Sequence, residues 1–130
     1  MIEPVRRSRA LARLCALLLV CLAVWARADG GIEHVVIIWL NDTGNTAHRA
    51  RVLEASRVLA GIPGVTAVRG GTVAASARPS VDDSFDVGLV ISLTDRAALD
   101  AYLVHPQHLQ LVNETLRPLV RRILVYDLHR

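Results

Sequence analysis

Glu33-His34-Val35-Val36-Ile37-Ile38-Trp39-Leu40 is a stretch of eight residues that ends in six apolar side chains in succession. Its length and β-branching make it a strand. Side chains alternate along a strand, so Val35, Ile37 and Trp39 share one face and Val36, Ile38 and Leu40 the other. Both faces are apolar, which places this strand inside a sheet that is covered on each side. Near the end of the chain, Arg122-Ile123-Leu124-Val125-Tyr126-Asp127-Leu128 repeats the pattern with Ile123, Leu124 and Val125 in a row.

Between these strands the period changes. Asn41-Asp42-Thr43-Gly44-Asn45 is a turn cluster that can also cap a helix. Over residues 46–61, Val52, Ala55, Leu59 and Ile62 recur at spacings of 3, 4 and 3, one face of a helix that Gly61 and Pro63-Gly64 stop. Residues 65–74 read as a second strand, with a bulge or bend at Gly70-Gly71. Residues 75–84 form a polar connection. Phe85, Val87, Leu89, Ile91 and Leu93 then alternate with Asp86, Gly88, Val90 and Ser92, the period of a third strand. Thr94-Asp95 caps a short helix that runs to Tyr102 and Leu103. Pro106 opens another, in which Leu109, Val112, Leu116 and Leu119 fall on one face and which Pro118 should end or kink.

The order is β-α-β-β-α-β, with the second helical region in two pieces. Right-handed crossovers turn this order into an α+β ferredoxin-like sandwich. One layer of helices covers one face of a four-stranded sheet. The apolar second face then calls for a second copy laid sheet against sheet, a homodimer that closes a dimeric α/β barrel. The alternative is that the central strands are simply hydrophobic and the second face stays partly exposed.

The amino-terminal segment has a separate reading. Residues 1–13 carry Arg6, Arg7, Arg9 and Arg13 against Glu3, and residues 14–25 are twelve apolar side chains. Ala26-Arg27-Ala28 is a small-x-small site. This is the pattern of a secretory signal peptide over residues 1–28, cleaved after Ala28, with 29–31 a short linker to a domain at 32–128. Twelve residues of helix span about 18 Å, too short for a hydrocarbon core of roughly 30 Å. Neither Cys15 nor Cys21 follows a small residue as a lipoprotein signal requires, and Arg9-Ala10 stand where a twin-arginine signal has an apolar pair. The expected product is exported, periplasmic or secreted, and free of the membrane after cleavage.

Cleavage also alters the electrostatics. Five of the 15 basic residues and one of the 12 acids leave with the leader, so ten basic residues remain against eleven acids. The calculated isoelectric point near 9.5 belongs to the precursor. The mature domain has no global basic field for nucleic acid, and with both cysteines gone it has no disulfide or thiol chemistry. Arg117, Arg121 and Arg122 form too small a cluster to argue for nucleic acid.

Three stretches in this order resemble the stress-responsive α/β-barrel (Dabb) family over about residues 32–128. They are His34-Val-Val-Ile-Ile-Trp-Leu40, Ala101-Tyr-Leu-Val-His-Pro-Gln-His108, which is similar to a Tyr-x-x-His-Pro-x-His segment, and Val125-Tyr-Asp-Leu128. The resemblance implies a homodimer of ferredoxin-like subunits, no cofactor, and either a small apolar ligand or a stress-related role without an assigned reaction. A few plant members are polyketide cyclases. By that likeness His108 is the general base of a cofactor-independent lyase or cyclase acting on a carbonyl compound, and Tyr102 binds or polarises the carbonyl. His34 and His105 are further candidates for ligand contact. Related barrels also include cofactor-free monooxygenases, for which the chain shows no specific motif.

The residues themselves leave several roles open for the histidines. Pro106 suits the first helical position, which makes His105 the N-cap and puts His108 near the positive end of the helix, where the neutral imidazole is favoured. His105 and His108 are then either a structural helix start, a ligand contact or a catalytic group. As metal ligands they lack a third partner in the local sequence. Asp82, Asp83 and Asp86 read as a solvated loop more readily than as a cation site, and Trp39 as core or interface.

Overall fold

The computed structural model describes residues 30–130. The leader expected at residues 1–28 lies outside the described residues. β1 (Ile32–Leu40), α1 (Thr46–Ser56, continued by a 3-10 turn Arg57–Gly61), β2 (Val65–Thr72) and β3 (Val87–Leu93) come first. α2 (Arg96–Leu103), α3 (Pro106–Leu111), a π turn (Val112–Leu116), α4 (Arg117–Leu119) and β4 (Val120–His129) follow. The strands form one antiparallel sheet in the order β2-β3-β1-β4. This is the ferredoxin-like α+β fold expected from the element order.

The central place of β1 explains its two apolar faces. Ile32, Val36, Ile38 and Leu40 point toward the helices, where Val52, Leu59 and Ile62 of the first helical segment and Leu99 and Tyr102 of α2 meet them. On the outer face lie Val35 and Ile37, beside Val90 of β3 and Leu124 and Tyr126 of β4 in the strand register. Tyr126 and Leu128 are more than half exposed there. The described residues therefore cover one face of the sheet and leave an apolar second face. At one end of that face Glu33 gathers Arg69, Arg130 and Ser92. At the other, Trp39 is buried under Arg122, whose guanidinium sits 4.4 Å from its ring centroid, with Phe85 edge-on and Ser84 accepting its indole N–H.

Three sequence expectations change. Asp86 belongs neither to β3 nor to a solvated loop. It is 0% exposed and accepts hydrogen bonds from Leu40 N at 2.9 Å and Gly44 N at 2.7 Å while pairing with Arg49 at 2.8 Å. It ties the end of β1, the following turn and α1 to the start of β3. Gly70-Gly71 is not a bulge: the register shift of β2 lies between Val65 and Ala67. Gly70 instead lies under close packing, since a Cβ there would meet the tips of the Leu89 and Leu53 side chains at 2.7 and 2.9 Å and make them shift. Leu109 is 45% exposed, and Leu111, Thr115 and Leu116 face inward in its place. The rest of the expected face holds, since Leu116 is in the core and Val112 and Leu119 pack against it; His108, Leu111 and Thr115, at spacings of 3 and 4, mark its centre and leave Leu109 at the edge. Pro118 stands one residue before the helical segment ends at Leu119, where a stop was expected.

Burial opposes the charge on Asp86, but the Gly44 and Leu40 amides and Arg49 outweigh it and hold its pKa below the ordinary 3.8. A depressed folded pKa means stability that is present above the unfolded value and is lost as pH falls through the folded one. Asp86→Asn should therefore cost about 3 kcal/mol at pH 7, because Arg49 loses its partner. In urea melts the gap to the wild type should narrow below about pH 4, where the carboxylate begins to take up its proton. An equal gap at pH 7 and pH 2.5 would rule out this account.

Candidate functional site

The helix-facing side of β1 carries one polar ring in an apolar row. His34 is 5% exposed and sits between Ile32 and Val36. Antiparallel pairing puts Asp127 of β4 directly opposite, and its Oδ1 lies 2.7 Å from His34 Nδ1. A carboxylate only accepts, so Nδ1–H donates and Nε2 keeps its lone pair when the ring is neutral.

The second histidine arrives from the helical layer. Asp95 caps α2 by accepting from Ala98 N at 2.8 Å, and α2 ends with the Tyr102 ring buried against the sheet. Pro106 then starts α3, with His105 Nδ1 accepting from Gln107 N at 3.3 Å as its N-cap. His105 is thus committed to the backbone and does not line the cavity described below, unlike the ligand contact expected of it. His108, one turn on, lies 4.6 Å from Tyr102 between ring centroids, and Tyr102 lies 5.6 Å from His34 in an edge-on arrangement. The sequence-derived trio of His34, Tyr102 and His108 therefore forms one continuous row of rings.

His108 Nδ1 is 3.0 Å from Leu103 O. A carbonyl can only accept, so the neutral ring carries its proton on Nδ1 and leaves Nε2 free as a base. Burial lowers the His108 pKa below 6.5, and the charge of His34 adds to this, while the Leu103 carbonyl opposes both. The helix N-terminus was the expected cause of a neutral His108, but burial is the main one. Burial also pushes the Tyr102 phenol up to about 12, so it stays protonated and can donate.

These rings line one end of a cavity of about 210 Å³ between sheet and helices. Val36, Leu89 and Ile91 form its floor, and Leu59, Leu111, Val112 and Leu116 its roof. Ile123 and Val125 of β4, each 42% exposed, form its open side. The arrangement offers two imidazole acceptors and one phenol donor in an otherwise apolar space, suited to proton transfer or to holding a small polar group. Asp127 was missed in the sequence because an acid in a closing strand looks like a solvent-facing residue. The signal lay in the pairing, since β4 lies beside β1 in this fold and sets position 127 opposite position 34. Among the described residues, no three or more His, Cys, Asp or Glu side chains come together as a metal site.

Four antiparallel strands with helices on one face and a ring-lined cavity between the layers define a ferredoxin-like α+β domain. The chain belongs to the stress responsive A/B barrel domain (Dabb) family, whose model matches residues 32–129. A Dabb family protein from Mesorhizobium loti with a ferredoxin-like fold is 27% identical, with a TM-score of 0.64 over 78% of this chain and 97% of the other. A dimeric ferredoxin-like protein of unknown function from Jannaschia sp. is 30% identical, with a TM-score of 0.61 over 78% and 100%. A hydroxynitrile lyase from Passiflora edulis is 17% identical, with a TM-score of 0.62 over 78% and 94%, a likeness in fold alone. No curated protein matches the chain.

In a histidine NMR titration, the His108 midpoint should fall below 6.5, with the proton on Nδ1 in the neutral form. A midpoint at or above the ordinary value, or a proton on Nε2 at pH 7.5, would contradict the geometry.

Proposed function

We propose that the chain works as an exported homodimer that holds a small, mostly apolar molecule in its cavity. One observation carries this reading: three polar rings with free hydrogen-bonding capacity converge on one end of an apolar cavity. A dry cavity of about 150 Å³ takes a benzene molecule, so about 210 Å³ has room for a ring and a short chain. The dimer is supported by the exposed apolar outer face of the sheet and by the dimeric state of the Jannaschia relative. Export is supported by the basic, apolar and small-x-small succession of residues 1–28.

A second reading is favoured by the tautomers. Both rings present Nε2, and His34 is oriented by a carboxylate in the manner of a general base and its positioning partner. In that reading His108 removes a proton α to a carbonyl, Tyr102 donates to the developing enolate oxygen, and the His34–Asp127 pair forms the opposite polar wall. The product class is that of a cofactor-independent lyase or cyclase.

Butyrophenone, a phenyl ketone of suitable size, tests both readings. Calorimetry should show binding to the wild type that weakens by roughly five- to ten-fold in Tyr102→Phe, the loss of one hydrogen bond. Unchanged affinity in Tyr102→Phe and in His108→Ala would remove the cavity from the account. If the acid–base reading holds, deuterium exchange into the α-carbon should fall about 100-fold in His108→Ala.

The protein purified from the exported fraction should begin at Asp29 and scatter light as a dimer. Ile37→Glu, which puts a charge on the outer sheet face, should give a folded monomer. A wild-type monomer would leave the sheet face unpaired and overturn the barrel.

A further inference from the structure

Beyond the open side of the ring-lined cavity lies a second space, a groove of about 320 Å³ along the start of β4. The two spaces are neighbours across the same side chains, Val112, Leu116 and Ile123. Ile123, on the boundary between them, is 42% exposed. The groove differs from the cavity in charge. It is lined by Arg117, Arg121 and Arg122 and by no acidic side chain.

These arginines differ from most others among the described residues. Arg49, Arg57, Arg69, Arg96 and Arg130 each face a carboxylate within 4.0 Å. Arg117 and Arg121 face none, and neither stands in an ion pair with a described residue. Arg122 is occupied on the outer face of the sheet, over the Trp39 ring. Arg121 is held by its Nε–H, which donates to Leu40 O at 3.1 Å, and both of its terminal nitrogens stay free. An arginine anchored by Nε offers a fixed fork of N–H donors, the geometry that matches a carboxylate. Glu114, the acid nearest Arg117 in sequence, is engaged with Gln110.

The two spaces together are therefore polar in a definite sense. At one end stands the Asp127 carboxylate behind His34, and six residues back along β4, about 20 Å at strand spacing, stands Arg121. An anionic group on a ligand would be repelled from the first end and drawn to the second. We propose that the ligand is a small amphiphilic carboxylate, its apolar part in the cavity and its carboxylate on Arg117 and Arg121. This rests on the reading of the cavity as a ligand site and adds the chemical class of what enters it.

Three probes of one shape test the proposal by calorimetry: 4-phenylbutanoate, 4-phenylbutanol and 4-phenylbutylamine. On the wild type the carboxylate should bind roughly ten-fold tighter than the alcohol, with the amine weakest, and added salt should reduce the difference. In the double variant Arg117→Gln/Arg121→Gln the carboxylate should fall to the affinity of the alcohol. Both arginines are exposed, and an unchanged affinity for the alcohol shows that the variant keeps its fold and cavity. Equal binding of alcohol and carboxylate to the wild type overturns the proposal and leaves the cavity reading intact. A carboxylate preference that survives the double variant also overturns it. Binding of none of the three overturns the cavity reading itself, and this inference with it.

Discussion

A strand that must be dry on both faces constrains everything else in this domain. β1 sits between β3 and β4, so its backbone groups are paired on both edges and its side chains project into two different environments. The helices supply one cover. Their packing on Val36, Ile38 and Leu40 forms the core, and the same row of positions carries His34 to the cavity. The other face has no cover among the described residues beyond the Trp39 end. One strand thus supplies both the floor of the site and the middle of the proposed subunit interface, and a one-residue slip in its register would exchange the two.

That constraint makes His34 informative. A polar ring in a buried apolar row is costly unless it is hydrogen-bonded. The Asp127 carboxylate supplies the bond to Nδ1, and the pairing of β1 with β4 holds it there without any loop contribution. The bond satisfies one nitrogen and leaves the other toward the rings of the cavity. Asp86 shows the contrasting case at the other end of β1. Its carboxylate is met by two backbone amides and a guanidinium, which leaves it no capacity for a ligand. Two buried ionisable side chains near one strand therefore have different duties, decided by how much of their hydrogen-bonding capacity the protein consumes.

The fold was legible because hydrophobic period is a local property. The alternation in β3 and the 3, 4, 3 spacing of Val52, Ala55, Leu59 and Ile62 needed no knowledge of neighbours. The caps were legible for the same reason, and Asp95 and His105 cap where the residue types suggested. What the sequence hid was non-local. Asp86 continues the alternation of β3 on paper, but the strand stops at Val87 and the side chain turns in to Arg49, 37 positions away. Asp127 acquires its role only from a residue 93 positions earlier. Leu109 misled because the inward face is centred on His108, Leu111 and Thr115, two of them polar, which a reading of apolar positions alone passes over.

The helical segment from Pro106 to Leu119 shows why the cavity is more than a packing flaw. Its N-terminus is held by Pro106 at the first position and by the His105 cap, which leaves His108 one turn in and beside Tyr102. Leu111, Thr115 and Leu116 then face inward, while Leu109 turns out to solvent. Val112 and Leu116 line the cavity and Leu119 packs on the core, so of these four apolar positions Leu109 alone is turned out. The segment turns a large apolar side chain away from the sheet and points an imidazole toward it. A helix that holds an imidazole over the cavity through Leu103 O, with the neighbouring Leu109 left in solvent, is shaped around the space it encloses. A packing flaw would be lined by side chains that merely fail to meet, whereas this space is closed at one end by rings whose tautomers are set by bonds on their far sides.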